Sequence, residues 1–164
     1  MIKLLALDVD GVLTDGKIIL SGAGELKNFS VKDGFGIKLA QKAGIEVCII
    51  TGRFSDITAK RAHELGIVHL YNGVDDKFSC FSDICNKLNV DMSSETAYMG
   101  DDLNDMKILK SCFFSGTVSD APYYIKKEVD FVSQSKGGDG AVREFIEAIL
   151  VRNGKWEEIF CTYF

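Results

Sequence analysis

The chain has 164 residues, of which 46% are hydrophobic and 26% charged, and its formal net charge is −5. This length predicts one domain over residues 1–164, and a domain of that size buries about 70% of its unfolded surface. The acidic balance argues against nucleic acid or an anionic membrane as a partner, and no apolar run reaches the roughly 18 residues of a membrane span. Positive charge that binds a ligand must therefore be local.

The cysteines indicate the compartment. Their number is odd and none of them forms a C-x-x-C pair: Cys48, Cys80, Cys85, Cys112 and Cys161. This usage is typical of reduced thiols in a cytoplasmic protein, and the N-terminus lacks the pattern of a secretory signal peptide. We therefore expect a cytoplasmic location, and we assign the thiols no chemistry.

The first predicted element is a buried strand over 2–7, which leads into two aspartates. Asp8 and Asp10 are two residues apart, so in an extended segment their side chains share a face about 7 Å apart. Like charges that close need a cation, and a hard divalent ion such as Mg²⁺ prefers oxygen ligands. One aspartate would then be free to attack phosphorus. Two turn-capping aspartates are the alternative, but the pattern D-x-D-G-x-x-T-D has a chance of about 10⁻⁴ in a chain this long.

A hairpin is predicted next, over 17–31, with its turn in the small residues 21–24. It would form a flap beside the site. A helix should follow, with Asp33 as a candidate N-cap and Gly44 at its end.

The remaining chain alternates short apolar runs with helical patterns. Strands are predicted at 46–50, 68–71, 96–99, 112–115 and 131–132, and helices at 55–65, 77–88, 103–110, 121–127 and 140–150. This alternation indicates right-handed β-α-β units and a parallel sheet covered on both faces. The predicted fold is a doubly wound, Rossmann-like α/β domain.

Ligand sites in such sheets lie beyond the carboxyl ends of the strands. Thr51 ends one predicted strand, and its hydroxyl and backbone N–H can donate to a phosphoryl oxygen. A helix N-cap or a turn is the alternative role. Lys77 begins a helix and can neutralise a phosphate together with a carboxylate nucleophile, although most lysines are simply exposed on the surface.

Three more carboxylates follow the strand at 96–99. Asp101 and Asp105 are one helical turn apart, so both can face one cation. Asp102 is a good N-cap with Asp105 near position N3. Capping explains Asp102 alone, but not three clustered carboxylates, whose repulsion requires a counter-ion. The pattern favours a metal site.

These residues resemble the four motifs of the haloacid dehalogenase (HAD) superfamily, in the expected order over positions 8–105. The loop D-V-D-G-V-L-T-D-G, the stretch K-x-F-x-V-x-D-G-x-G-I-K at 27–38 and G-G-x-G-A-x-R-E at 137–144 further resemble the capless 3-deoxy-D-manno-octulosonate 8-phosphate (Kdo 8-phosphate) phosphatases. Together the matches extend over about nine tenths of the chain. Residues 153–164 carry no motif of that family.

The resemblance implies a mechanism. Asp8 would be the nucleophile that forms an aspartyl-phosphate, and Asp10 would be the acid and base. Mg²⁺ would be held by Asp8, the backbone carbonyl of Asp10 and Asp101, supported by neighbouring carboxylates: Asp102 and Asp105. A small sugar phosphate is the expected partner, with substrate contacts at Thr14, Gly52, Arg53 and Arg143, the last beside a glycine loop at 137–140.

The segments between the motifs are too short for a cap domain, so the site of one subunit would stay open to water. The resemblance implies a homotetramer built through the flap, whose isolated apolar hairpin needs a partner surface. The apolar tail, 153–164, would either help close a neighbouring site or dock on its own subunit.

Two other functions remain open. A nonulosonate 9-phosphate is the main alternative substrate; relatives of that type tend to carry Glu after Thr-Gly, whereas Arg53 can grip a sugar carboxylate. Arg53 could instead be a surface residue. A non-enzymatic phospho-receiver is the second alternative, but Asp10 lies beside the nucleophile, where it would promote rapid turnover rather than a lasting signal.

Overall fold

The computed structural model describes residues 1–22 and 24–164. A six-stranded sheet, parallel throughout, forms the centre of the molecule. Its strands are β1 (Leu4–Leu7), β4 (Glu46–Thr51), β5 (His69–Asn72), β6 (Thr96–Met99), β7 (Phe114–Thr117) and β8 (Phe131–Val132). Their spatial order is β5-β4-β1-β6-β7-β8. The predicted α/β fold is confirmed.

Helices flank this sheet. They are α1 (Val31–Lys42), α2 (Asp56–Glu64), α3 (Lys77–Leu88), α4 (Met92–Glu95), α5 (Met106–Leu109), α6 (Tyr123–Lys126), α7 (Ala141–Arg152) and α8 (Trp156–Cys161). α1 packs along α7, and α3 packs against α5. Among the described residues, no helix combines the length and the apolar character needed to cross a membrane.

β1 lies at the middle of the sheet, where its sequence places it. All four of its residues are fully buried, as expected for a parallel strand covered on both faces. Leu4 pairs with Glu46 of β4 on one side and with Thr96 of β6 on the other. The residue that follows β1 is therefore delivered between the ends of two neighbouring strands.

The predicted flap is present as the antiparallel hairpin β2 (Ile19–Ser21) and β3 (Gly24–Leu26). Ala23, in its predicted turn, lies outside the described residues. An isolated bridge between Thr14 and Phe29 joins the base of the hairpin to the main body. Along the described residues between Asp10 and Thr51, the chain forms only a turn, this hairpin, α1 and β4, which leaves no room for a cap domain.

The start of α1 differs from the prediction. Ser30, not Asp33, is the N-cap, and its side chain accepts hydrogen bonds from the N–H groups of Lys32 and Asp33. Asp33 is buried inside α1 and accepts from the N–H groups of Gly140 and Arg143, at 3.3 and 2.8 Å. Its carboxylate thus satisfies the N-terminus of α7, about a hundred residues away, rather than that of its own helix.

Other boundaries shift as well. The helix predicted over 103–110 is a 3₁₀ turn, Leu103–Asp105, followed by α5. The strand predicted over 112–115 runs instead from Phe114 to Thr117. The first shift lies in the carboxylate cluster, where Asp105 accepts from the N–H groups of Asp101 and Asp102.

The tail packs on its own subunit. Ile159 of α8 is buried, the ring of Tyr163 lies 5.7 Å from that of Phe35, and Lys42 Nζ donates to Thr162 Oγ1 at 2.6 Å. This is the second of the two roles that the sequence leaves open for 153–164. The last residue, Phe164, is 94% exposed.

Candidate active site

The nucleophile candidate stands at the end of the central strand. Asp8 follows β1 directly, and its N–H donates to Met99 O of β6 at 3.0 Å. The chain then makes a tight turn closed by Thr14 N–H donating to Val9 O, with Gly11 at φ +92°. Only a residue without a Cβ tolerates that conformation easily. The Asp8 side chain is almost buried, whereas Asp10 is partly exposed.

Two glycines leave room for the carboxylates of the site. A Cβ added to Gly11 would lie 2.2 Å from Asp101 Oδ2, and one added to Gly100 would lie 2.5 Å from Asp105 Cγ. Any side chain at either position would displace a carboxylate. These glycines therefore permit the close approach of three acidic side chains to one another.

Lys77 lies at the centre of the cluster. The side chain is 2% exposed, and Nζ is 2.9 Å from Asp8 Oδ1 and 2.8 Å from Asp105 Oδ1. The pKa of this ammonium is raised: burial alone would lower it, but the two adjacent carboxylates outweigh burial. Lys77 therefore stays charged and points at the oxygen that would attack phosphorus.

Asp105 holds the cluster together. Oδ1 accepts from Lys77 Nζ and from Tyr98 Oη, the latter at 2.6 Å, and Oδ2 accepts from the N–H groups of Asp101 and Asp102 at 3.1 and 3.4 Å. Both carboxylate oxygens are thus engaged. Asp102 and Asp105 form the predicted capping box, with Asp102 exposed and accepting from Leu103 N–H. Their observed role is to fix the loop after β6.

The carboxylates fit a divalent cation. Oxygen atoms of Asp8, Asp101 and Asp105 lie within 4.8 Å of one another. Because both oxygens of Asp105 are engaged by protein donors, Asp8 and Asp101 are the side chains left to bind a metal ion. Hard oxygen donors at this spacing are the ligands that Mg²⁺ prefers.

The pKa values of this pair show the need for a positive charge. Burial, then repulsion from Asp105, raises the pKa of Asp8 to about 6, although Lys77 opposes the shift. Burial, followed by the charges of Asp8, Asp105 and Asp102, raises the pKa of Asp101 to about 7. At neutral pH Asp101 would therefore be only partly ionised, and a divalent cation would favour the charged form of both carboxyls.

The pocket over these residues is an open cleft of about 490 Å³. It is lined by Asp8, Asp10, Thr51, Gly52, Arg53, Lys77, Asp101, Asp102, Leu103 and Asn104. Arg53 is 40% exposed at the side chain, and its Nη2 lies 3.1 Å from Glu25 Oε1 of the flap. The three segments predicted to converge at the carboxyl end of the sheet thus do so, and Lys77 joins them from a fourth.

Comparison with known proteins identifies the family. A model of haloacid dehalogenase-like hydrolases matches residues 36–112. The 3-deoxy-D-manno-octulosonate 8-phosphate phosphatase KdsC of Salmonella typhi is 45% identical over 158 residues, which cover 96% of this chain and 84% of that protein. The KdsC protein of Escherichia coli K12 is 44% identical with the same coverage. The chain belongs to the Kdo 8-phosphate phosphatase family.

Solved structures agree. That of the Kdo 8-phosphate phosphatase from Moraxella catarrhalis, in complex with a magnesium ion, a phosphate ion and a KDO molecule, has a TM-score of 0.95 at 40% identity. The match covers 99% of this chain and 94% of that one. The cobalt-bound form from Haemophilus influenzae has a TM-score of 0.89 at 41% identity, covering 94% and 91%.

Two residues that the sequence predicts to contact substrate lie elsewhere in this member of the Kdo 8-phosphate phosphatase family. Thr14 is fully buried, and its hydroxyl donates to Val9 O at 3.3 Å, so it stabilises the turn that follows β1. Arg143 pairs with Glu147 and lies over the Phe35 ring, beside a separate apolar cavity formed with the tail. Neither side chain lines the open cleft over Asp8.

The glycine loop at 137–140 approaches protein rather than ligand. A Cβ on Gly137 would lie 1.9 Å from Gly11 O, and Gly138 N–H donates to Val12 O at 3.0 Å. The loop therefore packs against the turn that follows β1. The loop does approach another group closely, as predicted, but that group is the backbone of Gly11 and Val12 and not a ligand.

Sequence reasoning missed Lys27, Glu25 and Tyr98. Lys27 Nζ lies 2.6 Å from Asp10 Oδ1, Glu25 pairs with Arg53, and Tyr98 donates to Asp105. The family-like stretch that begins at Lys27 was the available signal for the first. Alternation along β3 was the signal for the second, since residues 25 and 27 share a face.

Proposed function

We propose that the protein is a Mg²⁺-dependent phosphatase that hydrolyses Kdo 8-phosphate through an aspartyl-phosphate on Asp8. The observation that carries the proposal is the buried Asp8 carboxylate paired with Lys77 at the end of β1, facing Asp101 across the cleft floor. A carboxylate nucleophile, a lysine that neutralises phosphate and a metal ligand together account for Asp8, Lys77 and Asp101 at one end of the sheet.

The residues of the chain divide the reaction between them. Asp8 attacks phosphorus as the bond from phosphorus to the sugar oxygen breaks, and Asp10 gives its proton to that oxygen. Asp10 then takes a proton from the water that attacks the aspartyl-phosphate, which releases phosphate and restores Asp8. Lys77 neutralises charge on the phosphoryl group, and Thr51, buried at the end of β4, donates to it.

Mg²⁺ would be held by the carboxylates of Asp8 and Asp101 and by the backbone carbonyl of Asp10. When bound, it polarises the phosphoryl oxygens and offsets the repulsion between phosphate and Asp8. Asp105 and Asp102 would act indirectly, by fixing the loop that carries Asp101.

The substrate is proposed from two observations. The relatives named above act on Kdo 8-phosphate, and one of them binds magnesium, phosphate and KDO. Arg53 lines the cleft and offers a planar guanidinium to a carboxylate. A nonulosonate 9-phosphate, the other sugar acid considered, becomes an outcome of the test.

Phosphate release should be fastest with Kdo 8-phosphate in a panel of sugar-acid phosphates and simple esters. Arg53→Ala should lower kcat/KM for the sugar acid by about 10-fold to 100-fold and change that for a simple ester little, because only the former presents a carboxylate. Lys110→Ala, an exposed cation paired with Glu128 outside the cleft, is the control. An equal loss on both substrates would contradict the role of Arg53. Faster hydrolysis of the nonulosonate 9-phosphate would show that it, and not Kdo 8-phosphate, is the preferred substrate.

The metal-free protein should become more stable as the pH falls from about 8 to about 5. The folded pKa values of Asp8 and Asp101, about 6 and about 7, lie above the ordinary value of 3.8. The stabilisation by protonation is therefore complete below pH 3.8 and is lost as the pH rises through the two folded pKa values. We expect a difference of about 1–3 kcal/mol in the free energy of unfolding. Mg²⁺ should reverse the trend, since it stabilises the ionised form.

Denaturant unfolding with and without Mg²⁺ tests this expectation. Asp101→Asn should flatten the pH dependence and reduce the effect of Mg²⁺, whereas Asp75→Asn, at an exposed carboxylate, should do neither. Wild-type and Asp101→Asn proteins with equal pH dependence would show that Asp101 does not titrate as described.

We further propose that the chain acts as one domain in a cytoplasmic homotetramer. The flap supports the assembly, because its apolar side chains are exposed: Ile18 44%, Ile19 45%, Leu20 79% and Leu26 55%. A hairpin of that kind is marginal in water unless another surface covers it. The five cysteines are free, as expected in a reducing compartment. Closure of a neighbouring site by the tail stays a prediction.

Light scattering at micromolar concentration should give the mass of four chains. Leu20→Glu should dissociate the assembly, because it places a charge in the proposed contact. Val68→Glu is the matched control, since Val68 is 80% exposed but lies outside the flap. A fully active wild-type monomer would exclude the tetramer as the working form.

A further inference from the structure

Lys27 is a buried cation whose role is unexplained by the reaction as described. It follows β3, yet its side chain is 0% exposed, and Nζ donates to Asp10 Oδ1 at 2.6 Å. A buried ammonium is costly unless it is paired, so this contact is essential to the position of the side chain. The flap that carries it is otherwise largely exposed.

The inner face of the flap makes a second ion pair with the site. Glu25, two residues before Lys27, lies 3.1 Å from Arg53 Nη2 and accepts from Ser55 Oγ at 3.3 Å. Both charged residues of this face thus contact the cleft of their own subunit. Glu25 contacts Arg53, the predicted sugar-binding arginine, whereas Lys27 contacts Asp10, the proposed acid and base.

We propose that Lys27 is a positioning residue for proton transfer by Asp10, an inference that depends on the proposed function. Lys27 fixes the Asp10 carboxyl group through Oδ1, which leaves Oδ2 to exchange the proton. As the bond from phosphorus to the sugar oxygen breaks, its electron pair moves to that oxygen, which receives the Asp10 proton. The new bond joins Asp8 to phosphorus.

The contact defines the orientation of Asp10. Asp10 lies on the catalytic turn and is partly exposed, so its side chain would otherwise sample several rotamers. A proton donor must stay within hydrogen-bond reach of the leaving oxygen, and a small displacement lowers the rate strongly. The ion pair with Lys27 of the flap thus fixes the carboxyl group within the cleft that Asp10 lines.

The leaving group separates this role from simple anchoring of the flap. A sugar alkoxide needs a proton as it departs, whereas the phenolate of p-nitrophenyl phosphate leaves without one. Lys27→Met should therefore lower kcat/KM for Kdo 8-phosphate by about 10-fold to 100-fold and that for p-nitrophenyl phosphate by less than about 3-fold. The ratio kcat/KM is used because it reports steps up to formation of the aspartyl-phosphate.

Glu25→Gln is the matched control, on the same face of the same flap. Measured with glycerol phosphate and p-nitrophenyl phosphate, neither of which carries a carboxylate, it should leave the ratio of kcat/KM between the two leaving groups as in the wild type, because Glu25 pairs with Arg53 and not with Asp10. Lys27→Arg should recover part of the lost activity on Kdo 8-phosphate. If Lys27→Met slowed both substrates equally, its role would be structural; if it slowed neither, the ion pair would be incidental.

Failure of the proposed function would look different. A wild-type enzyme that hydrolyses p-nitrophenyl phosphate but not Kdo 8-phosphate would reject the substrate, not the role of Lys27. The comparison is then made with glycerol phosphate, whose leaving group is also an alkoxide. The same selective loss in Lys27→Met is expected there, and equal losses would overturn the proposal.

Discussion

Asp8→Asn should abolish phosphate release while the protein stays folded. An amide cannot attack phosphorus as a carboxylate does, and loss of a nucleophile typically costs at least about 10⁴-fold in kcat. The fold should tolerate the change, because Asp8 is repelled by Asp105 and its pKa is raised by burial. The metal-free variant should therefore be at least as stable as the wild type at neutral pH.

Steady-state phosphate release and acid-quench trapping of the labelled protein test this expectation. Asp10→Asn is the informative comparison: it should slow departure of the sugar and still allow Asp8 to become phosphorylated by an aryl ester. Asp75→Asn, exposed on the surface, controls for the loss of a negative charge. Near-native turnover by Asp8→Asn in Mg²⁺ would exclude the covalent mechanism.

Lys77→Met should impair both stability and catalysis. Lys77 is 2% exposed between Asp8 and Asp105, so its removal leaves two buried carboxylates without their cation. Breaking a buried pair of this kind costs about 3–5 kcal/mol in the free energy of unfolding. Loss of a charge aimed at the phosphoryl group should also lower kcat by about 10²-fold to 10³-fold.

A second substitution separates the two effects. In the double variant with Lys77→Met and Asp105→Asn, one buried negative charge is also removed, so stability should recover in part while activity stays low. Urea unfolding and phosphate release measured on both variants make the test. Recovery of activity along with stability would show that Lys77 acts only on the fold.

Much of the fold is predictable because local signals agree with it. The apolar runs of β1 and β4 have the continuous pattern of buried parallel strands, and α3 begins at Lys77 and ends at Leu88 as its periodicity indicates. Asp33 shows where local reasoning ends. It has the residue type and spacing of a helix N-cap, but its partners are N–H groups at the start of α7, and no local pattern contains that contact.

The site shows the same division. Asp8, Lys77 and Asp101 follow from motif order and strand ends, and the structure brings them together. The supporting role of Asp105 was predicted, but its four hydrogen-bond donors were not, since they come from three segments of the folded chain. Lys27 resembles any lysine of an exposed hairpin until the hairpin is placed over Asp10. Arg143 was predicted to contact substrate because it lies beside a glycine loop. Glycines indicate a close approach, but they do not show whether a ligand or protein backbone approaches.

The central position of β1 has a consequence for how the protein is made. Leu4 pairs with Glu46 on one side and Thr96 on the other, and the turn after β1 is backed by Gly137 and Gly138. During synthesis the apolar strand β1 therefore stays unpaired until β4 is translated, and its second edge stays unpaired until β6 is translated. Asp8 is therefore translated well before Lys77 and Asp101, the residues that surround its carboxylate in the folded protein.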